Sequence, residues 1–348
     1  MGIVDIRANS VRLFPHSAVL APDFACRPVL SPDCFAYVRL KLERGGHDDA
    51  LVLWRQSQEF FEASSRLSAS ASPLTSYYCM LNAAKALLTV RQQVHGPFHG
   101  LSGGYSNGPV SLKGETVRPS SGGVFPALVQ MYGGGTSTSQ QYPLKDLLAE
   151  LPFVHRSFTL TYTSSSELFI PLERARFVRK EGSNEAWFSA VMPSSYALQQ
   201  LRLPSGFEQD PNITDALGIR CKRRFVWDDS ALEKSLASLK AYHARLRTDV
   251  LPISTTQMTR WYLRKPTMRG VSFDLPLLGR MFGVMHRLSE LSRYNPIRME
   301  RHLKAKHNWL LNEFLVQAPA QFVHLVASEL TGREFVEPDA VRLPRRPS

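Results

Sequence analysis

Two stretches of the chain place a histidine six residues after an arginine, a pairing able to hold a phosphate and move a proton beside it. They are Arg301-His302-Leu303-Lys304-Ala305-Lys306-His307 and Arg280-Met281-Phe282-Gly283-Val284-Met285-His286. A guanidinium offers a planar fork of donors to phosphate oxygens, and an imidazole is the commonest general acid or base near neutral pH. Their number argues against enrichment. With 10 histidines in 348 residues, chance supplies roughly two or three arginine–histidine spacings of this kind, and two occur. Geometry argues the same way, since six positions along a regular helix leave Arg301 and His307 about 120° apart. On that helix His307 lies near the apolar stripe of Met299, Leu303, Leu310 and Phe314, whereas Arg298, Arg301 and Asn308 share the opposite, wet face. A histidine at the edge of the core is therefore the favoured identity of His307, with catalysis by Arg301 and His307 as the alternative.

Other motifs carry less. Gly100-Leu101-Ser102-Gly103-Gly104 spells a hydrolase nucleophile elbow, but the motif works only on a strained strand-to-helix turn. The flanking HGPFH and YSNGP predict neither element. His95 and His99 would share a metal only from one helix, and Gly96-Pro97 between them forbids it. No HExxH or Cys/His cluster occurs, so neither a metal nor a cofactor is expected. The four cysteines form no CxxC pair and read as reduced thiols of a cytoplasmic protein, with Cys79 a buried one. Tyr78, Asn82 and Lys85 fall within about 60° of one another on a helix, a polar stripe along the edge of an apolar face. An interhelical hydrogen-bond network is the favoured reading of that stripe over a polar pocket.

Charge is distributed unevenly. The chain carries a net +12, and residues 220–308 alone hold 19 basic against 7 acidic residues, also a net of +12. A region so basic can attract RNA or DNA through phosphate neutralisation and counterion release, or meet an acidic protein partner. Arg223, Arg224, Arg264 and Arg298 are the residues expected to contact nucleic acid, with Trp261 and Tyr262 beside Arg264 as rings on which bases could stack. The alternative is a solvated basic surface. No apolar run approaches the roughly 20 residues of a membrane helix, and Asp5 and Arg7 interrupt any N-terminal apolar core.

The elements that must position these residues follow from periodicity. Residues 1–48 lack a sustained period and read as irregular with short strands. A helix over about 49–67 and another from Pro73 to about Val90 form a hairpin, Pro73 sitting at an early helical position. Residues 96–123, dense in Gly, Ser, Pro and Asn, predict a long, exposed and mobile surface excursion. Short helices follow near 124–132 and 144–151. From 155 to 265 the pattern turns β, with a hairpin turning at Gly182-Ser183-Asn184, strands CKRRFVW and TRWYLRK, and one helix near 230–247. Helices at 275–293, 297–316 and 319–331 complete the chain before a loose tail over 333–348. Trp54, Tyr77, Leu81, Leu303 and Leu310 each need apolar partners that the polar middle is too poor to supply. The expected fold is thus α+β and helix-rich, with the helices of 49–154 and 275–332 sharing one core and the β-rich 155–265 inserted between them.

Several of these stretches carry a resemblance. WRQSQEFFEASSRLSASASPLTSYYCMLNAAKALL, the Gly-rich stretch beginning HGLS, and SRYNP followed by a helix and WLLNEFL resemble the YaaC-like family of bacterial proteins, with gaps, from about residue 50 to 332. The resemblance implies a bacterial, cytoplasmic, helix-rich protein and assigns no catalytic residue. Separately, the spacing of Arg301 and His307 is similar to a motif of the HEPN superfamily, which implies a metal-independent ribonuclease as the alternative to a nucleic-acid-associated or regulatory module.

Overall fold

A computed structural model describes residues 2–196, 203–266 and 275–337. Its described helices are α1 (Cys34–Arg44), α2 (Asp48–Ser64), α3 (Ser72–Val90), α4 (Val124–Met131), α5 (Leu144–Ala149), α6 (His155–Thr161), α7 (Leu232–Leu246), α8 (Leu277–Tyr294), α9 (Pro296–Lys304) and α10 (Asn308–Thr331). Local chemistry sets most of their ends. Asp33 caps α1 by accepting from the Phe35 and Ala36 amides, α3 opens on Pro73, and α10 stops where Gly332 turns left-handed at φ +71. None of the described helices is long and apolar enough to cross a membrane.

Helices from the two ends of the chain share one core, as their need for apolar partners predicts. Trp54 of α2, Tyr77 and Leu81 of α3, Phe282 of α8, and Leu310 and Phe314 of α10 belong to a single buried cluster, against which Leu303 packs. The intervening residues build an antiparallel sheet. Its strands run in the order Phe207–Gln209, Leu217–Cys221, Glu185–Met192, Phe169–Lys180, Thr259–Arg264 and Val250–Ser254. Ile3–Asp5 adds to the Phe169–Lys180 strand and Phe225–Val226 to the Glu185–Met192 strand. The hairpin turn at Gly182 lies between the two central strands, with φ +73 at the glycine. A second cluster, including Phe177, Phe188, Trp227 and Leu239, fills the space between this sheet and α7.

Four local expectations are corrected. Residues 34–44 are helical rather than irregular, and Phe35, Val38 and Leu42 form their buried stripe. The Gly-rich stretch is ordered: Leu101–Tyr105 pairs antiparallel with Glu115–Pro119, which pairs with Tyr142–Pro143. CKRRFVW is interrupted, so that Arg223 and Arg224 occupy the turn between Leu217–Cys221 and Phe225–Val226. The last helices break at 305–307, where Ala305 is extended, rather than near 317–318; Pro319 lies inside α10. Of the expected tail, residues 338–348 lie outside the described residues.

Candidate functional site

Helix α8 is buried along nearly its whole length yet carries Arg280, His286, Arg287 and Glu290. Polar groups in such a place must be paired internally or meet a ligand. Arg287 reaches Glu115, a carboxylate with 0% of its surface exposed, through Nε at 2.9 Å and Nη2 at 2.8 Å. Arg298 Nε also donates to Glu115, and His302 Nε2 lies 3.0 Å from it. Arg298 and His302 are one helical turn apart on α9, which Asn295 caps by accepting from the Arg298 amide. His302 Nδ1 sits 2.9 Å from His307 Nε2. On the other side, Arg287 Nη1 bonds Glu290 at 3.0 Å, and Glu290 accepts from the Gly103 amide at 3.1 Å. A Cβ at Gly103 would overlap Glu290 Oε2 and Arg287 Nη1, so only glycine lets the strand approach α8 this closely. The ring of Tyr105, 54% exposed, faces the guanidinium groups of Arg298 at 4.4 Å and Arg287 at 5.9 Å.

The network continues beyond Glu290. His286 Nδ1 lies 3.9 Å from Glu290, too far for a hydrogen bond. Its ring packs 5.2 Å from that of Tyr77 and 6.0 Å from that of His99, and Tyr77 and His99 are 5.3 Å apart. The Tyr77 hydroxyl and both Nδ1 atoms are buried without hydrogen-bond partners. One chain of titratable groups thus runs from His307 through Glu115 to His99.

Its electrostatics divide it in two. Burial pushes the Glu115 carboxyl up, but hydrogen bonds from His302, Arg298 and Arg287 outweigh it and hold the group below its ordinary value. That end is an ionised carboxylate saturated by cations, and its chemistry is spent on packing. Burial, followed by the charges of His302 and Lys306, lowers His307 to about 4. Burial, then His99 and Arg287, lowers His286 to about 3. Burial, then Lys85 and Arg293, lowers the half-buried His99. Burial raises the Tyr77 phenol. The Tyr77–His99–His286 end therefore presents neutral imidazoles and a protonated phenol, able to donate to or accept from a polar group at neutral pH.

Each residue singled out from the sequence has a definite place. Arg301 is exposed on α9, while His307 is buried past the end of that helix against His302. One is exposed and the other buried, the division that a continuous helix would also give, although the helix itself breaks at 305–307. Arg298 is not on a wet face: it is buried on Glu115. Arg264 is held by Glu150 at 2.8 Å, and Trp261 beside it is buried. Arg224 pairs with Glu185 at 3.0 Å and lies over Trp187, but Arg223 is exposed and pairs with no carboxylate. In the stripe, Asn82 donates to Gln56 of α2 at 3.4 Å and the Tyr78 ring stacks on Phe60 at 5.3 Å. These are interhelical contacts, as favoured. Lys85 acts on His99 instead. Glu115, Arg287 and Glu290 are not singled out in the sequence, and Tyr77, His99 and His302 are singled out there for other roles, because the partners that join them lie far along the chain, 187 residues in the case of Glu115 and His302. Local signals exist in the spacings of Arg298 and His302 on α9 and of Arg287 and Glu290 on α8.

Among the described residues no group of three or more His, Cys, Asp or Glu side chains is arranged to hold a metal ion. No curated protein and no solved structure matches the chain. A family model described as YaaC-like Protein matches residues 38–330, a span that contains both halves of the shared helical core and every member of the Glu115 network, and the chain belongs to that family.

Proposed function

We propose that this protein associates with nucleic acid or a comparable polyanion in the cytoplasm, through a surface narrower than the basic window of the sequence. Burial removes Arg247, Arg280, Arg287 and Arg298 from that window. Ion pairs occupy Arg220, Arg224 and Arg264. What remains on the sheet side is Arg260 of the Thr259–Arg264 strand and a group of exposed cations on α7 and the neighbouring turn: Lys222, Arg223, Lys234, Lys240 and Arg245. Lys234 and Arg245, eleven residues apart, share one face of α7.

The observation that carries the reading is the convergence of Arg223 and Arg245. They come from separate elements, neither pairs with a carboxylate among the described residues, and both line one depression of about 530 Å³. The acidic residue lining it is Asp249, whose carboxyl burial raises towards its neutral form. Two unpaired guanidinium forks suit the oxygens of a phosphodiester.

Fluorescence anisotropy with labelled single-stranded RNA and duplex DNA, across a salt series, tests this. Association should weaken with salt at a log–log slope of about −0.9 for each duplex phosphate neutralised, or −0.7 for a single strand. In the Arg223→Glu/Arg245→Glu variant the duplex slope should flatten by about two such increments with the fold intact. Absence of binding by the parent, or identical binding by the variant, refutes the proposal. Reversing Arg264 or Arg298 is not a usable test, since it would set a new carboxylate against buried Glu150 or Glu115.

A further inference from the structure

A different group of arginines lies inside the molecule. A pocket of about 310 Å³ opens at the N-terminal end of α8, and Arg247, Arg264, Arg280, Tyr132 and Glu329 line it. From this arrangement we propose that the pocket binds a small oxyanion, a phosphoryl or carboxylate group on a compact ligand. It is distinct from the α7 surface and does not depend on it.

The argument rests on charge and on unmet donors. Glu150, 3% exposed, is the carboxylate facing both Arg264 and Arg280, at 2.8 and 3.5 Å. Arg264 Nη2 donates to Glu150 Oε1 at 3.3 Å, whereas the closer contact, between Nε and Oε2, is off hydrogen-bonding alignment, for both of those atoms lack a hydrogen-bond partner. Arg280, itself 4% exposed, uses Nη1 on the Glu150 carbonyl at 3.3 Å, and its buried Nε is unpartnered. Arg247 donates to the carbonyls of His16, Ser17 and Val250; among the described residues it forms no ion pair, and Glu329 and Glu334 act on it at longer range. Glu329, across the pocket, is occupied by the amides of Val19 and Leu20 at 2.7 and 3.0 Å. Burial raises its carboxyl, favouring the neutral form. Among the described residues, three guanidinium groups thus line one pocket, with Glu150 in contact with two of them and Glu329 and Glu334 acting on the third from beyond ion-pair distance. Uncompensated buried charge is costly unless a counter-ion is present. Burial also lowers Arg247 and Arg280 to about 10, against the opposing pull of Glu329 and Glu334 on the first and of Glu150 on the second.

The helix adds to the field. Leu275, Pro276, Leu277 and Leu278 line the pocket, and no side chain among the described residues caps the first turn of this 18-residue helix. Its free first-turn amides and positive dipole end favour an anion there. A volume of 310 Å³ lies at the lower end of the range for small-molecule sites and suits a compact ligand.

Isothermal titration of the full chain with inorganic phosphate, and separately with acetate, at constant ionic strength made up with chloride, tests the site. Saturable binding of either oxyanion supports it, and the arm that binds identifies the group recognised. Arg264→Gln should weaken binding at least tenfold and shrink the rise in melting temperature that saturating phosphate or acetate gives the parent. A purely structural Arg264 would lower the melting temperature without ligand and leave that rise and the affinity unchanged. Ala244→Leu, which narrows the pocket without touching an arginine, should weaken binding to a similar degree. No saturable binding of phosphate or acetate by the parent, or parental affinity in both variants, overturns the proposal.

Discussion

Replacing Glu115 by alanine should be the most damaging single change in the α8–α9 region. The substitution leaves Arg287 and Arg298, both buried, and the fully buried His302 facing one another without their shared anion. Removing one partner of a buried ion pair costs about 3–5 kcal/mol, because the remaining charge is left uncompensated. An unfolding entropy of about 2.1 cal/mol/K per residue, over 348 residues, gives roughly 0.7 kcal/mol/K at the transition, so the melting temperature should fall by about 4–7 °C. Urea unfolding followed by tryptophan fluorescence measures the free energy directly. Glu115→Gln keeps an acceptor for His302 and one arginine and should fall between parent and alanine variant. The acid dependence supplies a second readout. Because Glu115 is held below its ordinary value when folded, its contribution is present above the unfolded carboxyl value and lost as pH falls through the folded one. The parent should therefore lose stability more steeply than Glu115→Gln below about pH 4.3. A loss of less than about 1 kcal/mol in Glu115→Ala would refute the idea that this carboxylate ties α8, α9 and the Glu115–Pro119 strand together.

His286 is lowered to about 3 in the folded protein, so below pH 6.5 the unfolded chain binds a proton that the folded one refuses. Stability should decline between about pH 6.5 and 3, and His286→Gln should flatten that decline in pH-dependent urea melts. Gly103→Ala should destabilise by about 1–3 kcal/mol, since its methyl would displace Arg287 and Glu290, which the surrounding pairs hold in place; a thermal melt matching the parent would show that the close approach of strand to α8 is dispensable.

The network also accounts for the order of the Gly-rich segment. Composition predicts mobility because residues 96–123 have few apolar groups to offset ordering entropy. Leu101, Leu112 and Val117 are buried in the helical core, and charge and backbone add to them: Glu115 is gripped by three side chains, and the Gly103 amide is tied to Glu290. Glycine, which reads as a breaker in sequence, serves here as the residue that admits a neighbouring guanidinium.

Much of the architecture was legible from the chain alone, because it depends on interactions between near neighbours. The α2–α3 hairpin follows from apolar spacing and Pro73, the 182–184 turn from its glycine, and the end of α10 from Gly332. The union of the terminal helices in one core followed from apolar residues that had no other partners. The basic excess was equally plain, but not which arginines meet water. Arg298 and Arg223 look alike in sequence; one is buried on a carboxylate 183 residues away and the other is exposed. Arg301 and His307 divide between solvent and core as their periodicity favours, but the break at 305–307 and the contact of His307 with His302 are not visible in it. Periodicity records the face a side chain occupies on its own helix. It does not record what packs against that face, and for a charged group the partner brought by the rest of the chain decides between burial and solvent.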